Sequence, residues 1–252
     1  MTEAILRTHG LTKRFGGLVA TDQLDFEVLR GEVHAVIGPN GAGKTTLLNQ
    51  LVGELPSDTG EVEFDGRDIT RLPSYRRALL GLSRSYQITS ILPEFTALEN
   101  VALAAQAHDG HSFGCWRPAI LEERLTRPAR EALKEVGLLP KEGTLAAQLA
   151  HGERRQLEIA MALVSQPKLL LLDEPMAGMG RGESESMVKL LGSLKGRYTM
   201  LLVEHDMDVV FALADRITVL VYGRPIASGS PETIRTSPDV KKAYLGDRYA
   251  AH

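Results

Sequence analysis

The residues with the clearest potential for chemistry lie in the stretch GPNGAGKT at positions 38–45, which fits the spacing G-x-x-x-x-G-K-[ST]. Its glycines let the backbone wrap closely around phosphate groups, and the amides at the start of a following helix point at the same anion. Lys44 can reach the β- and γ-phosphates of a nucleotide, and the Thr45 hydroxyl can bind Mg²⁺. The alternative is a flexible loop that matches the pattern by chance. The predicted nucleotide-binding residues are Gly38, Asn40, Gly41, Gly43, Lys44, Thr45 and Thr46.

Two carboxylates, Asp173 and Glu174, follow the apolar run Leu169–Leu172. In an open α/β sheet, ligands bind beyond the carboxyl ends of the strands, which would place this pair beside the phosphate loop, residues 38–45. Asp173 is suited to hold Mg²⁺ directly or through water, and Glu174 is suited to orient or deprotonate an attacking water. The alternative is a pair of solvated side chains at the start of a surface loop.

The elements that must position these residues are predicted from hydrophobic patterning. Continuous apolar runs that alternate with helical stretches indicate an α/β fold with a central, largely parallel sheet. The stretch Ser74–Gln166 is predicted to be mainly helical and to form an inserted subdomain. A helix, Lys44–Leu51, follows the phosphate loop. Predicted strands are Ile5–Phe15, Thr21–Leu29, Glu32–Ile37, Gly60–Gly66 (with its turn), Leu169–Leu172, Thr199–Val203 and Ile217–Val221.

The composition restricts the environment and the partners of the chain. The 252 residues are 43% hydrophobic and 24% charged, with a net charge of −3, so there is no electrostatic reason to expect nucleic acid as a partner. A single cysteine, Cys115, fits a reducing compartment. The first residues lack the features of a signal peptide, and no apolar run approaches the roughly 20 residues that a membrane span needs. We therefore expect a soluble chain that meets a membrane only through a partner.

Beyond the two motifs, the sequence resembles the nucleotide-binding subunit of ABC transporters over nearly its whole length. The resemblance rests on Lys13–Gly17, Ser85–Ile88 and Val203–Asp206, among other segments. It implies ATP and Mg²⁺ as cofactors and a phosphate-loop ATPase core that carries an N-terminal antiparallel β subdomain. The family roles that it implies are adenine stacking for Phe15, Mg²⁺ contact for Gln87 and γ-phosphate contact for His205. The implied catalytic residues are thus Glu174, His205 and Gln87, and the implied metal ligands are Thr45, Gln87 and Asp173.

The family's signature segment, usually Leu-Ser-Gly-Gly-Gln, is similar to Leu149–Glu153, which reads LAHGE here. The resemblance implies that His151 and Gly152 contact the ATP of the opposite subunit across a dimer. Ala150 departs from the pattern because it has no hydroxyl to cap the helix or to donate to a phosphate. Gly180 stands where the family usually has Asp or Asn. Ala150 predicts weaker closure of the dimer, and Gly180 puts the coupling between the two ATP sites in doubt. Together the two departures leave open a heterodimer with two unequal sites.

Three segments resemble the branched-chain amino acid and related urea or amide importers: Glu174–Met179, Val203–Met207 and Pro238–Gly246. The stretch Ala102–Thr126 resembles the insertion of the longer of that system's two ATPase subunits. This resemblance implies membrane permease subunits, a second ATPase subunit (a homodimer being the other option) and, indirectly, a periplasmic solute-binding protein. It also implies a position on the cytoplasmic face of the membrane.

The sequence leaves other functions open. A lipopolysaccharide-export ATPase shares the tail and the compact size, a soluble ABC ATPase acting on DNA or ribosomes would use the same site chemistry, and a non-hydrolytic nucleotide sensor would tolerate Ala150 and Gly180. We interpret 1–252 as a single nucleotide-binding domain with a helical subdomain at approximately 88–166 and a C-terminal tail at 237–252.

Overall fold

The computed structural model describes residues 3–85, 91–108 and 122–249. The strands in those residues are β1 Ala4–Phe15, β2 Leu18–Leu29, β3 Val33–Ile37, β4 Thr59–Phe64, β5 Arg67–Asp68, β6 Leu82–Ser85, β7 Leu169–Asp173, β8 Thr199–Val203, β9 Arg216–Val221 and β10 Arg224–Gly229. The helices are α1 Lys44–Val52, α2 Ser74–Leu79, α3 Ala97–His108, α4 Glu123–Glu135, α5 His151–Leu163, α6 Arg181–Leu194, α7 Met207–Leu213, α8 Pro231–Thr236 and α9 Pro238–Tyr249.

The central sheet has the strand order β10-β9-β3-β8-β7-β6, and all its neighbouring pairs are parallel except β10 with β9. Every residue of β3, β7 and β8 is buried, as expected for strands covered on both faces. The register pairs Val203 with both Val36 and Asp173, so three strands reach the same edge of the sheet together. The residues that follow β3, β7 and β8 therefore lie together, at the carboxyl ends of these strands.

A second sheet is antiparallel, with the order β2-β1-β4-β5, and it confirms the predicted N-terminal β subdomain. The hairpin of β1 and β2 turns at Gly16 and Gly17, as predicted. On β2, Ala20 lies against the phosphate loop, because a Cβ built on Gly43 would overlap the Ala20 carbonyl oxygen. The hairpin thus forms one wall of the region around the loop.

The stretch predicted to be mainly helical also contains a strand that the sequence analysis did not identify. Leu82–Ser85 form β6, which pairs in parallel with β7 at the edge of the central sheet. The strand has four residues, of which only Leu82 and Ser85 are buried, and such a short edge strand gives little periodicity in the sequence. The strands β5 and β10 also lie outside the predicted set.

Helices α3, α4 and α5 pack on one another through an apolar cluster that includes Val101, Leu133 and Leu157. These helices lie in the stretch for which a helical subdomain was predicted. Gln87 and residues 109–121, which hold most of the predicted insertion, lie outside the described residues. In the part of the chain that is described, no helix has both the length and the apolar character needed to cross a bilayer.

Candidate nucleotide-binding site

The phosphate loop leaves β3 and enters α1, and two of its glycines are required by close packing. A Cβ at Gly38 would overlap the carbonyl oxygen of Leu220, and one at Gly43 would overlap that of Ala20. Gly43 also has φ +101°, in a region that side chains with a Cβ rarely adopt. The backbone is therefore held in a tight loop whose amides lead directly into the first turn of α1.

Lys44 is the first residue of α1 and is 8% exposed. Its Nζ donates to the carbonyl oxygens of Gly38 at 2.7 Å and Pro39 at 3.1 Å, which keeps the amine over the loop. Burial lowers the pKa of the Lys44 amine, whereas the negative charges of Glu174 and Asp173 act to raise it. The first turn of α1 has no acidic residue to offset its favourable field for an anion. This arrangement fits a bound polyphosphate.

The two predicted carboxylates sit at the end of β7 with different environments. Asp173 is 3% exposed, and its Oδ2 accepts from Nη2 of Arg84 at 2.8 Å. Glu174 is partly exposed and has φ +47°, the left-handed region, while its backbone N–H donates to the Val203 carbonyl at 2.9 Å. A non-glycine residue in that conformation is strained, and such strain is common at functional sites. The turn directs Asp173 and Glu174 to different positions at the edge of the sheet.

His205 follows β8 and lies beside Glu174, with 3.9 Å between its Nδ1 and the Oε1 of that carboxylate. Its side chain is 66% exposed. The preceding residue, Glu204, is buried and accepts from the backbone N–H groups of Met176 at 3.2 Å and His205 at 3.1 Å. Burial raises the pKa of the Glu204 carboxyl, with these hydrogen bonds acting in the opposite direction. Glu204 thus connects the loop after Glu174 to the backbone that carries His205.

The signature segment contacts the loop that follows Glu174 within the same chain. His151 begins α5, and its Nε2 donates to the Ala177 carbonyl at 3.1 Å. Glu183 accepts from the backbone N–H of Gly152 through Oε1 and from that of Gly180 through Oε2, both at 3.2 Å. The two segments with departures from the family pattern are therefore joined by one carboxylate.

Ala150 is the N-cap residue of α5, and its side chain makes no capping hydrogen bond. Its own backbone N–H donates to Oε2 of Glu153 at 3.1 Å. Half of the capping arrangement is thus present, and a hydroxyl at Ala150 would be needed to complete it. The sequence prediction that this position lacks a cap agrees with the geometry.

Phe15 ends β1 at the tip of the hairpin and is 50% exposed, with Nζ of Lys13 5.7 Å from its ring centroid. An exposed ring on the hairpin that lines the phosphate loop is compatible with base stacking. Gln87 lies outside the described residues, so its predicted roles stay predictions.

Sequence reasoning did not identify Arg84, Glu183 or Glu204 as parts of this site. Each of them contacts a residue from a distant segment of the chain. Local bonds to Gly180 and His205 accompany the distant contacts of Glu183 and Glu204. The one sequence signal that could have identified any of them is the acidic residue directly after the apolar strand β8, which is Glu204.

The donor set around Thr45 and Asp173 suits Mg²⁺ with a nucleotide and does not suit a metal held by protein alone. Thr45 offers a hydroxyl on the first turn of α1, and Asp173 offers a carboxylate. Among the described residues there is no group of three His, Cys, Asp or Glu side chains able to hold a metal ion. Mg²⁺ commonly binds through one or two protein oxygens, substrate phosphates and water, which fits these residues.

Two protein-family models match the chain. The ABC transporter family model matches residues 21–177, and the model named branched-chain amino acid ATP-binding cassette transporter matches residues 224–250. The chain is 40% identical over 254 residues to the high-affinity branched-chain amino acid transport ATP-binding protein BraF of Pseudomonas aeruginosa. That alignment covers 98% of this chain and 100% of the relative.

Solved structures agree in fold. The ADP conformation of an ATP-binding cassette of an ABC transporter has a TM-score of 0.87 and 32% identity, covering 97% of this chain and 100% of that one. A dimeric bacterial ABC transporter cassette has a TM-score of 0.76 and 25% identity, covering 90% of this chain and 98% of that one. With the family model matching more than half of its length, the chain belongs to the ABC transporter family, as one of the ATP-binding cassettes that hydrolyse ATP.

Proposed function

We propose that this chain is one of two ATPase subunits that drive a membrane importer for branched-chain amino acids or related small polar solutes. The observation that carries the ATPase assignment is the convergence of Lys44, Glu174 and His205 at one edge of the central sheet. The solute class is supported by the relative BraF, a branched-chain amino acid transport ATP-binding protein, and by the family model that matches residues 224–250. These matches favour an importer over the lipopolysaccharide-export alternative.

In the proposed reaction, the amides of the phosphate loop and Lys44 bind the β- and γ-phosphates of ATP. Glu174 orients the attacking water and accepts its proton, and His205 stabilises the γ-phosphate. Mg²⁺, held by Thr45 and Asp173, with Gln87 assigned from the family resemblance, would neutralise charge that develops on the phosphates. Phe15 stacks on the adenine base of ATP.

We further propose that two subunits close around two ATP molecules, each held between one phosphate loop and the opposite signature segment, including His151 and Gly152. Differential ATP affinity for the closed form would drive closure, and hydrolysis would allow reopening. The dimeric cassette described above has a fold similar to this chain. The departures at Ala150 and Gly180 favour a second, different ATPase subunit as the partner over a second copy of this chain.

The contact with the permease is proposed to be an apolar groove of about 390 Å³ between α2, α3, α5 and β6. Tyr75 and Leu79 on its rim are 60% and 52% exposed, which is unusual for large apolar side chains. On its wall, the buried Oε1 of Glu158 has no hydrogen-bond partner among the described residues. The groove therefore suits a helix of the permease that presents apolar residues and one hydrogen-bond donor. This contact would hold the chain at the cytoplasmic face of the membrane.

Within this proposal, residues 1–252 form a single nucleotide-binding domain, with a helical subdomain at about 88–166 and a tail at 237–252. The other partners are the permease subunits and, indirectly, a periplasmic solute-binding protein. The net charge of −3 supports a role without nucleic acid.

The test is reconstitution of the chain with its permease subunits and second ATPase in vesicles, followed by ATP-dependent uptake of labelled leucine. We expect uptake with the wild-type chain and loss of uptake with Lys44→Ala. Tyr75→Ser with Leu79→Ser should release the chain from the permease while ATP binding is retained. Uptake that is independent of this chain, or an intact complex in the double variant, would contradict the corresponding part of the proposal.

A further inference from the structure

One buried guanidinium, that of Arg84, links the end of β7 to α1 and to the loop that follows α1. Arg84 lies on β6, and its Nη2 donates to Oδ2 of Asp173 at 2.8 Å. Its Nη1 donates to Oδ1 of Asn49 at 2.7 Å and to Oε2 of Glu54 at 3.0 Å. The side chains of Arg84 and Asp173 are 7% and 2% exposed, so the pair is largely removed from solvent.

Two of these partners, Asn49 and Asp173, lie on the elements that carry the proposed Mg²⁺ ligands. Asn49 is on α1, the helix that begins with Lys44 and Thr45. Arg84 therefore ties the carboxylate at the end of β7 to the helix that carries the hydroxyl ligand. A guanidinium is planar and presents its donors in a fixed fork, so it can hold these groups in a defined relation.

We propose that Arg84 is a positioning residue for Mg²⁺: by holding Oδ2 of Asp173, it presents the other carboxylate oxygen to the metal or to a metal-bound water. No described residue donates a hydrogen bond to that oxygen, Oδ1. Mg²⁺ requires near-ideal octahedral geometry and tolerates a rotated ligand poorly. The inference rests on the proposed assignment of Asp173 as a metal ligand.

A purely electrostatic role makes the opposite prediction for one variant. If Arg84 acted through its charge alone, Arg84→Lys would behave as the wild type, and Arg84→Met would strengthen Mg²⁺ binding by removing a cation beside Asp173. If Arg84 acts by position, both variants weaken Mg²⁺ binding, because neither side chain can hold Asp173 and Asn49 at once. The two variants thus separate charge from geometry.

The experiment measures the dissociation constant of a fluorescent ATP analogue with EDTA and with saturating Mg²⁺, for the wild type, Arg84→Lys and Arg84→Met. The Mg²⁺ enhancement is the dissociation constant measured with EDTA divided by the one measured with Mg²⁺. We expect binding with EDTA to change by less than about twofold and the enhancement to fall about tenfold or more in both variants, as is typical when the partner of a metal ligand is removed. An unchanged enhancement in Arg84→Lys, or a larger one in Arg84→Met, would overturn the proposal.

Arg77→Lys is the matched control. Arg77 is also a buried arginine that contacts α1, but within the described part of the chain it donates only to backbone carbonyl oxygens, among them those of Gln50 and Leu51. Its replacement should lower the melting temperature and leave the Mg²⁺ enhancement as in the wild type. The same loss of enhancement in Arg77→Lys would show that general destabilisation explains the Arg84 results, which would also overturn the proposal.

Two further variants keep the outcomes distinct. Asn49→Ala removes one arm of the Arg84 network, so a reduced enhancement supports the proposal and an unchanged one opposes it, even where the Arg84 variants fail to fold. Asp173→Asn tests the underlying assignment. If the wild type shows no Mg²⁺ enhancement, or Asp173→Asn retains it, the assignment of Asp173 fails. If both behave as assigned and Arg84→Lys is unchanged, only the role of Arg84 fails.

Discussion

The Nδ1 atom of His205 lies 3.9 Å from Oε1 of Glu174, although the two residues follow different strands of the central sheet. Parallel pairing of β7 with β8 produces this proximity, because Asp173 and Val203 are register partners and the two residues come directly or almost directly after them. The buried carboxylate of Glu204 stabilises the same region by accepting hydrogen bonds from the backbone N–H groups of Met176 and His205. This arrangement brings together the carboxylate for which we propose activation of water and the imidazole for which we propose stabilisation of the γ-phosphate.

His205→Ala should lower the turnover of ATP without unfolding the protein. The side chain is 66% exposed, so its loss should change the melting temperature little. Loss of one group that stabilises transition-state charge typically reduces kcat by about 100-fold. Steady-state ATPase assays of the assembled transporter would measure this, with His9→Ala, an exposed histidine on β1, as the control. Turnover at the wild-type rate in His205→Ala would argue against the assigned role.

Gly43→Ala should disrupt the phosphate loop. The new methyl group would overlap the Ala20 carbonyl, and φ of +101° adds strain of about 1–2 kcal/mol for a residue with a Cβ. We expect loss of ATP binding and a decrease of at least about 2 kcal/mol in the free energy of unfolding. Gly17→Ala is the control, because its Cβ would meet no atom within 4 Å and its φ lies outside the left-handed region. Denaturant unfolding and nucleotide titration of both variants would provide the test. Equal behaviour of the two would show that the close approach at Gly43 is unimportant.

Ala150→Ser should complete the cap of α5. The backbone at Ala150 already has extended dihedral angles, φ −61° and ψ 163°, suitable for an N-cap. A hydroxyl there should increase the free energy of unfolding by about 1 kcal/mol and raise ATP affinity or turnover in the assembled dimer. Ala147→Ser, at an exposed position, should change neither. An unchanged or slower turnover in Ala150→Ser would show that the missing hydroxyl does not weaken the site.

Glu158 should make stability depend on pH. Burial raises the pKa of its carboxyl, with Arg155 acting in the opposite direction. The folded protein therefore retains this proton at pH values where the unfolded chain releases it, and the free energy of unfolding falls as the pH rises from the ordinary glutamate pKa through the raised one. Glu158→Gln should flatten that dependence, whereas Glu131→Gln, on the exposed face of α4, should not. Identical pH profiles for Glu158→Gln and the wild type would refute the prediction.

The parts of this site that the sequence predicts are those encoded by local patterns. The phosphate loop and the acidic pair after β7 each occupy one short segment, and the apolar strands around them are fully buried as their composition indicates. The parts that it missed depend on distant contacts. Arg84 and Asp173 are 89 residues apart in the sequence. Gly152 and Glu183 are 31 residues apart. Neither pair can therefore be predicted from a local spacing of residues. β6 was missed for a related reason, since a four-residue edge strand becomes recognisable only through its pairing with β7.

The central claim, that Glu174 acts on ATP held between two subunits, is tested most directly by the ATP-dependent dimerisation of Glu174→Gln. Size-exclusion chromatography with light scattering would be performed with and without a co-expressed second ATPase, alongside an ATPase assay. We predict hydrolysis slowed by about 10²–10⁴-fold and a stable ATP-bound dimer, formed with the second ATPase or with a second copy of the chain. Hydrolysis at the wild-type rate, or a chain that stays monomeric with ATP in both preparations, would contradict the account.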